Sequence, residues 1–93
     1  MSVSIEHHSQ DQEFTTIVDG YTAELAYSLP TNGVIDFTHT FVDEGLRGRG
    51  MADALAQEAL NYARQQGLRV RTSCHFMAAF VRRHAEYQDI LAE

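Results

Sequence analysis

Gly45-Leu46-Arg47-Gly48-Arg49-Gly50-Met51-Ala52 stands between two runs of different periodicity. Before it, Val34 to Val42 is β-branched and aromatic and alternates, which predicts a strand. Strict alternation puts Ile35, Phe37, His39 and Phe41 on one face and Asp36, Thr38 and Thr40 on the other. After it, Met51 to Gln66 predicts a helix. Ala52, Leu55, Ala59 and Ala63 recur at helical spacing and form a narrow face of small residues that can lie close on a sheet. Gly67 is a suitable stop for that helix, and Leu68 to Thr72 reads as the next strand. The strand–helix–strand unit over residues 34–72 is therefore expected to be a right-handed parallel crossover.

Outward from that unit the chain is simpler. Val3 to Glu6 and Phe14 to Val18 predict strands. Asp19-Gly20 is a two-residue hairpin signal, and Tyr21 to Tyr27 returns antiparallel. Leu29-Pro30-Thr31-Asn32-Gly33 reads as a loop by its turn residues. Toward the C-terminus, Ser73 is expected to cap a helix over about residues 75–84, and Asp89 to Ala92 to add a short third. The fold class is α+β: a mixed, mostly antiparallel sheet with one β-α-β crossover and two to three helices. The 93 residues make a single domain, residues 1–93.

The glycine loop points to an anionic ligand. Glycine lets backbone amides approach a ligand unobstructed. The helix that follows offers free N–H groups and the positive end of its dipole, which suits a phosphate or pyrophosphate. Charge agrees. Residues 1–46 hold eight acidic residues and no lysine or arginine; all seven arginines lie in residues 47–93, and the net charge is −6. An anion therefore belongs to the second half. The acidic total argues against nucleic acid. No apolar run reaches the roughly 20 residues of a membrane span, and residues 1–8 lack the basic end and apolar core of a signal peptide. The single cysteine, Cys74, excludes an internal disulfide. A cytoplasmic protein is expected. The loop is neither a P-loop nor, with its Gly-x-x-Gly-x-Gly order, the dinucleotide fingerprint. The plain alternative is a tight strand–helix turn without a ligand.

The order Arg47-x-x-Gly50-x-Ala52 resembles the Gln/Arg-x-x-Gly-x-Gly/Ala loop of the GCN5-related N-acetyltransferases. The likeness extends to a minimal subgroup of that family through His39-Thr40-Phe41-Val42, Arg47 to Gly50, Gly67-Leu68-Arg69-Val70, Cys74 and His84-Ala85-Glu86-Tyr87, where the subgroup has proline in place of Ala85. It covers roughly residues 34–91. The resemblance implies acetyl-coenzyme A as cosubstrate, an amine acceptor, and the pyrophosphate held by Arg47, Gly48, Arg49, Gly50, Met51 and Ala52. It implies that the backbone of Thr40, Phe41 and Val42, where strands splay apart, pairs with the pantetheine amides.

Three residues are candidates for the chemistry. Cys74 follows the second crossover strand, as nucleophile or as a group beside the coenzyme thiol; a lone cysteine is equally a small buried hydrophobe. His39, with an ordinary pKa near 6.5, suits proton removal from an amine; on an apolar face it would otherwise be a hydrogen-bonded core residue. Tyr87 resembles the family's tyrosine that protonates a leaving thiolate, or it simply packs. Arg82 and Arg83 are within the class that reaches phosphate or lies solvated. Cys74, His75 and His84 lack paired metal-ligand spacing, so no metal is expected. Direct attack of the amine is the first reading and an acyl-Cys74 intermediate the second. The rival class is a catalytically silent coenzyme A-binding module or sensor. The acceptor is a small molecule or a protein, and the chain a monomer or homodimer.

Overall fold

The computed structural model describes residues 4–92. Five strands form one sheet in chain order: β1 (Glu6–His8), β2 (Glu13–Val18), β3 (Tyr21–Thr31), β4 (Val34–Val42) and β5 (Arg69–Thr72). The first four are antiparallel neighbours, and β5 pairs parallel to β4. The connection between them carries α1 (Met51–Gln65), and α2 (His75–Arg83) follows β5. The α+β class and the single crossover are as expected.

Some boundaries differ, each for a local reason. Val3 lies outside the described residues, and the first strand begins only at Glu6. The expected loop at 29–33 is instead strand as far as Thr31. The turn is Asn32-Gly33 alone, with Gly33 at φ +79°. Pro30 fits because the register slips there: Ser28 pairs with Asp36 but Thr31 with Val34, leaving one extra residue on β3. Such an irregular position tolerates a missing N–H donor. Ser73 does not cap α2. Its N–H and hydroxyl both bind the Asp36 carboxylate, at 3.0 and 2.8 Å, and Cys74 occupies the N-cap position. The last helical segment is a 3-10 stretch from Ala85 to Ile90, earlier than the predicted 89–92.

α1 packs across β2 to β5, and α2 joins it against β5. Leu55, Ala56, Ala59, Leu60 and Ala63 of α1 are buried against Leu25, Ile35 and Phe37 of the sheet. The small alanines let the helix axis come close, and burial of the larger side chains contributes about 25 cal/mol per Å² of apolar surface. On the opposite sheet face no described strand residue is buried; Ile17, Glu24, His39 and Phe41 point there.

One register shift decides what reaches the helix side. Ala26 pairs with His39 but Tyr27 pairs with Phe37, so Thr38 is an extra residue, a β-bulge in β4. A single insertion exchanges the faces of everything beyond it. Ile35 and Phe37 face the core, as predicted. Beyond the bulge, Thr40 and Val42 lie beside buried Leu25 and Ala23, while His39 and Phe41 turn to the open face. The predicted sharing of one face by all four residues is corrected by the bulge.

Candidate functional site

The bulge and the divergence of β5 create a cleft. The β4–β5 ladder runs from Val34–Arg69 to Phe37–Thr72, and its last tie is the Cys74 N–H to the Phe37 carbonyl at 2.9 Å. Beyond it β4 continues for five residues, Thr38 to Val42, with no partner strand on that side among the described residues. Asp43 N–H donates to Thr22 O at 3.0 Å, which sets the alternation of the antiparallel β3–β4 ladder. Phe41 and His39 direct their backbone groups to β3, and Thr40 and Val42 direct theirs into the cleft.

The inner end of the cleft holds Cys74. The residue is 9% exposed, and its thiol lies 3.1 Å from the Thr40 hydroxyl. No side chain caps α2, so the sulfur engages the strand rather than the helix end. This contact joins two residues 34 positions apart. It exists only because the bulge turns Thr40 inward.

The outer end is the glycine loop. Asp43 accepts a hydrogen bond from Gly45 N–H at 3.0 Å and opens a 3-10 turn over Glu44–Leu46. Buried Leu46 anchors that turn in the core. Gly48 and Gly50 both adopt left-handed backbone, at φ +78° and +77°, and a Cβ at either would meet open space. The first helical bond runs from Ala54 N–H to Gly50 O, so the amides of Met51, Ala52 and Asp53 have no helical acceptor. A cavity of about 240 Å³ opens here, lined by Val42, Leu46, Arg47, Gly48, Gly50 and Met51 with Ala52 and Asp53. An anion would find orphan amides, two left-handed glycines and one arginine, Arg47, there. A carboxylate, Asp53, sits on the same rim. A larger groove of about 760 Å³ lies elsewhere, between β5 and the C-terminal segment. It is lined by Arg69 and Arg71, but Arg69 already donates to the Asp89 and Leu91 carbonyls and the groove has no glycine loop or orphan helix amides, so the smaller cavity is the better-built anion site.

The predicted site residues are not all brought together. Thr40, Val42 and Cys74 line one cleft with Arg47, Gly48, Gly50, Met51 and Ala52 at its mouth. Met51 is buried, so only its N–H can serve. Arg49 is not in the lining: its guanidinium pairs with Asp19 at 3.2 Å, and its N–H donates to Leu46 O. Phe41 is 44% exposed on the far face. His39 is exposed on that face too, so the core-histidine alternative does not hold. Tyr87 is 6% exposed and packs among Phe80, His84 and Arg64, whose guanidinium lies 5.9 Å from its ring centroid. Burial holds its phenol above the ordinary value near 10, so it is protonated at neutral pH. Among the described residues no group of three or more metal-ligating side chains occurs, and no helix is long and apolar enough to cross a membrane.

Sequence reasoning passed over the side chain of Thr40, whose hydroxyl meets Cys74, and the β2–β3 turn, which docks on the loop. Tyr21 covers Gly45 so closely that a Cβ there would lie 2.6 Å from its ring. The first glycine of the loop thus makes room for a neighbour, not for a ligand. No spacing rule links Tyr21 to Gly45.

Comparison with known proteins agrees with this fold. The profile of the GCN5-related N-acetyl-transferase family matches residues 13–90. Protein NATD1 of Bos taurus is 32% identical over 82 residues, covering 86% of this chain and 73% of that protein. Protein NATD1 of Homo sapiens is 29% identical over 82 residues, with 86% and 73% covered. The solution NMR structure of a GCN5-like candidate N-acetyltransferase from Staphylococcus aureus superposes with a TM-score of 0.78 at 28% identity, covering 98% of this chain and 90% of that one.

Proposed function

The chain belongs to the GCN5-related N-acetyltransferase family, and on that premise we propose that it moves an acetyl group from coenzyme A to an amine. The observation that carries the reading is the unpaired β4 edge, Thr40 to Val42, running from the two left-handed glycines at one end to Cys74 at the other. A strand edge offers alternating donors and acceptors to a ligand that carries amides. The loop amides and Arg47 would hold the pyrophosphate, and Thr40 and Val42 the pantetheine. Acetyl-coenzyme A supplies a thioester carbonyl that an amine can attack; the C–N bond forms as the C–S bond breaks, and coenzyme A leaves as a thiolate that takes up a proton while the amine gives one up.

The chain's own residues do the rest. Backbone N–H groups on β4 are the available donors for negative charge developing on a carbonyl oxygen. Cys74, buried and tied to Thr40, shapes the inner wall; direct transfer therefore leads, and acylation of Cys74 comes second. Tyr87, held protonated, packs beside Arg64 at the C-terminal end of α1, the end away from the glycine loop, so its neighbours are those of a packing residue. The acceptor amine must lose a proton. His39 lies across the sheet from Cys74, so it can serve only an amine arriving over the open face. That displacement favours a second reading, a coenzyme A-binding module that transfers nothing.

The test has two arms. Acetyl-coenzyme A with pools of small amines and lysine peptides, followed by mass spectrometry, should show acetylated product. Coenzyme A at 100 times its Kd should add about 2.7 kcal/mol of stability. Binding without product supports the silent module, and no shift at millimolar coenzyme removes both readings. Under direct transfer Cys74→Ala retains binding and most activity. Under an obligatory acyl-cysteine it retains binding alone.

A further inference from the structure

The loop carries two arginines, and the structure treats them differently. Arg47 lines the cavity, whereas Arg49 is turned away from it and paired with Asp19, Nη2 to Oδ2 3.2 Å. Asp19 is not a stray surface acid. It holds the first corner of the β2–β3 turn at φ +54°, followed by Gly20 at +81°. The turn is fixed to the loop by Tyr21 over Gly45 and by the Asp43 N–H to Thr22 O bond. The carboxylate is therefore delivered to Arg49 by the fold. Both partners remain partly in solvent, at 37% and 69% side-chain exposure. Such a pair is worth at most about fivefold in an equilibrium constant. A phosphate, with more charge and more acceptor oxygens, competes for the same guanidinium on favourable terms.

We propose that Asp19 sets the coenzyme affinity of the loop by holding Arg49 off the cavity, and that a bound phosphate takes Arg49 over from Asp19. The proposal rests on the coenzyme reading above and deepens it. Asp19 is then a positioning residue that acts through Arg49, and it weakens ligand binding instead of supporting it. Asp19→Asn is a clean probe, because asparagine accepts the left-handed backbone and the Asn-Gly pair keeps the turn.

Calorimetric titration of the full chain with coenzyme A tests this. Asp19→Asn should bind about threefold tighter than wild type at low salt, within the range of one exposed pair, with the gain shrinking at 0.5 M salt. Arg49→Gln should bind more weakly, and Asp19→Asn on that background should change nothing. The proposal is overturned if Asp19→Asn binds equally or more weakly, or if its gain survives in Arg49→Gln. Wild type that fails to bind coenzyme A overturns the coenzyme reading instead. Inorganic pyrophosphate, followed at the Arg49 side-chain N–H resonance, then decides the proposal. Perturbation at lower pyrophosphate concentration in Asp19→Asn supports it, and identical titrations in the two proteins refute it.

Discussion

At the scale of single residues, the glycines of the loop divide by what they do. Gly50 needs its left-handed backbone and has open space around it. Gly50→Ala should cost about 1 kcal/mol of stability through backbone strain, and Gly50→Asn less, because asparagine visits that region more readily. Chemical denaturation checks both. Coenzyme titration of the stable Asn variant then separates strain from obstruction: a side chain at the mouth should weaken binding even where stability is kept. Gly45 is the reverse case, with ordinary backbone but a crowded Cβ position. Gly45→Ala should displace Tyr21, and Tyr21→Ala should remove the penalty. A double-mutant cycle with no coupling between the two would contradict the packing described. This distinction was not legible in the sequence, where Gly45, Gly48 and Gly50 look alike. The contact with Tyr21 spans 24 positions and leaves no local trace. Cys74 was legible as the residue that follows the second crossover strand; that its partner is Thr40 was not.

At the scale of elements, α1 and the extent of β4 were readable because long periodic runs leave little choice of class. The face assignment of β4 was readable only up to Phe37. Thr38 is an ordinary strand residue, and nothing in its neighbourhood marks it as an insertion, yet it exchanges the roles of His39 and Thr40. β1 offers a separate prediction. His7 stacks on Phe14 with ring centroids 4.2 Å apart, meets Tyr62 edge-on at 4.5 Å, and its Nε2 lies 2.6 Å from the Tyr27 hydroxyl. Burial first, and the neighbouring His8 second, push its pKa below 6.5. The folded state therefore prefers the neutral ring. The stability this contributes is complete above about pH 6.5 and is lost as pH falls through the lowered folded value. Thermal melting should show a decline over that interval, and His7→Phe should flatten it. A variant with the same acid slope as wild type would assign the effect to other groups.

At the scale of the whole molecule, charge is segregated along the chain, with eight carboxylates and no lysine or arginine in residues 1–46. Glu13 and Glu24 of that half lie on the uncovered sheet face. A cationic acceptor should meet favourable long-range attraction, screened over about 10 Å at 0.1 M salt and about 3 Å at 1 M. The Michaelis constant for a lysine peptide should therefore rise with salt, while that for a neutral small amine stays level. Equal salt responses would remove charge from acceptor selection.

The seam between β4 and β5 also has a history in time. β1 to β4 are joined by successive turns, so each pairing closes only a short loop and can form early. The parallel β4–β5 pairing must wait for the whole of α1 to intervene, and pairings of greater sequence separation form more slowly. The cleft lies on that late seam. It should be the last feature to assemble and among the first to open in native-state fluctuations. Native-state hydrogen exchange should find β5 amides less protected than those of β3, and coenzyme should slow exchange on both sides of the seam. A ligand that bridges the two would then act as a fastener on the part of the molecule that closes last.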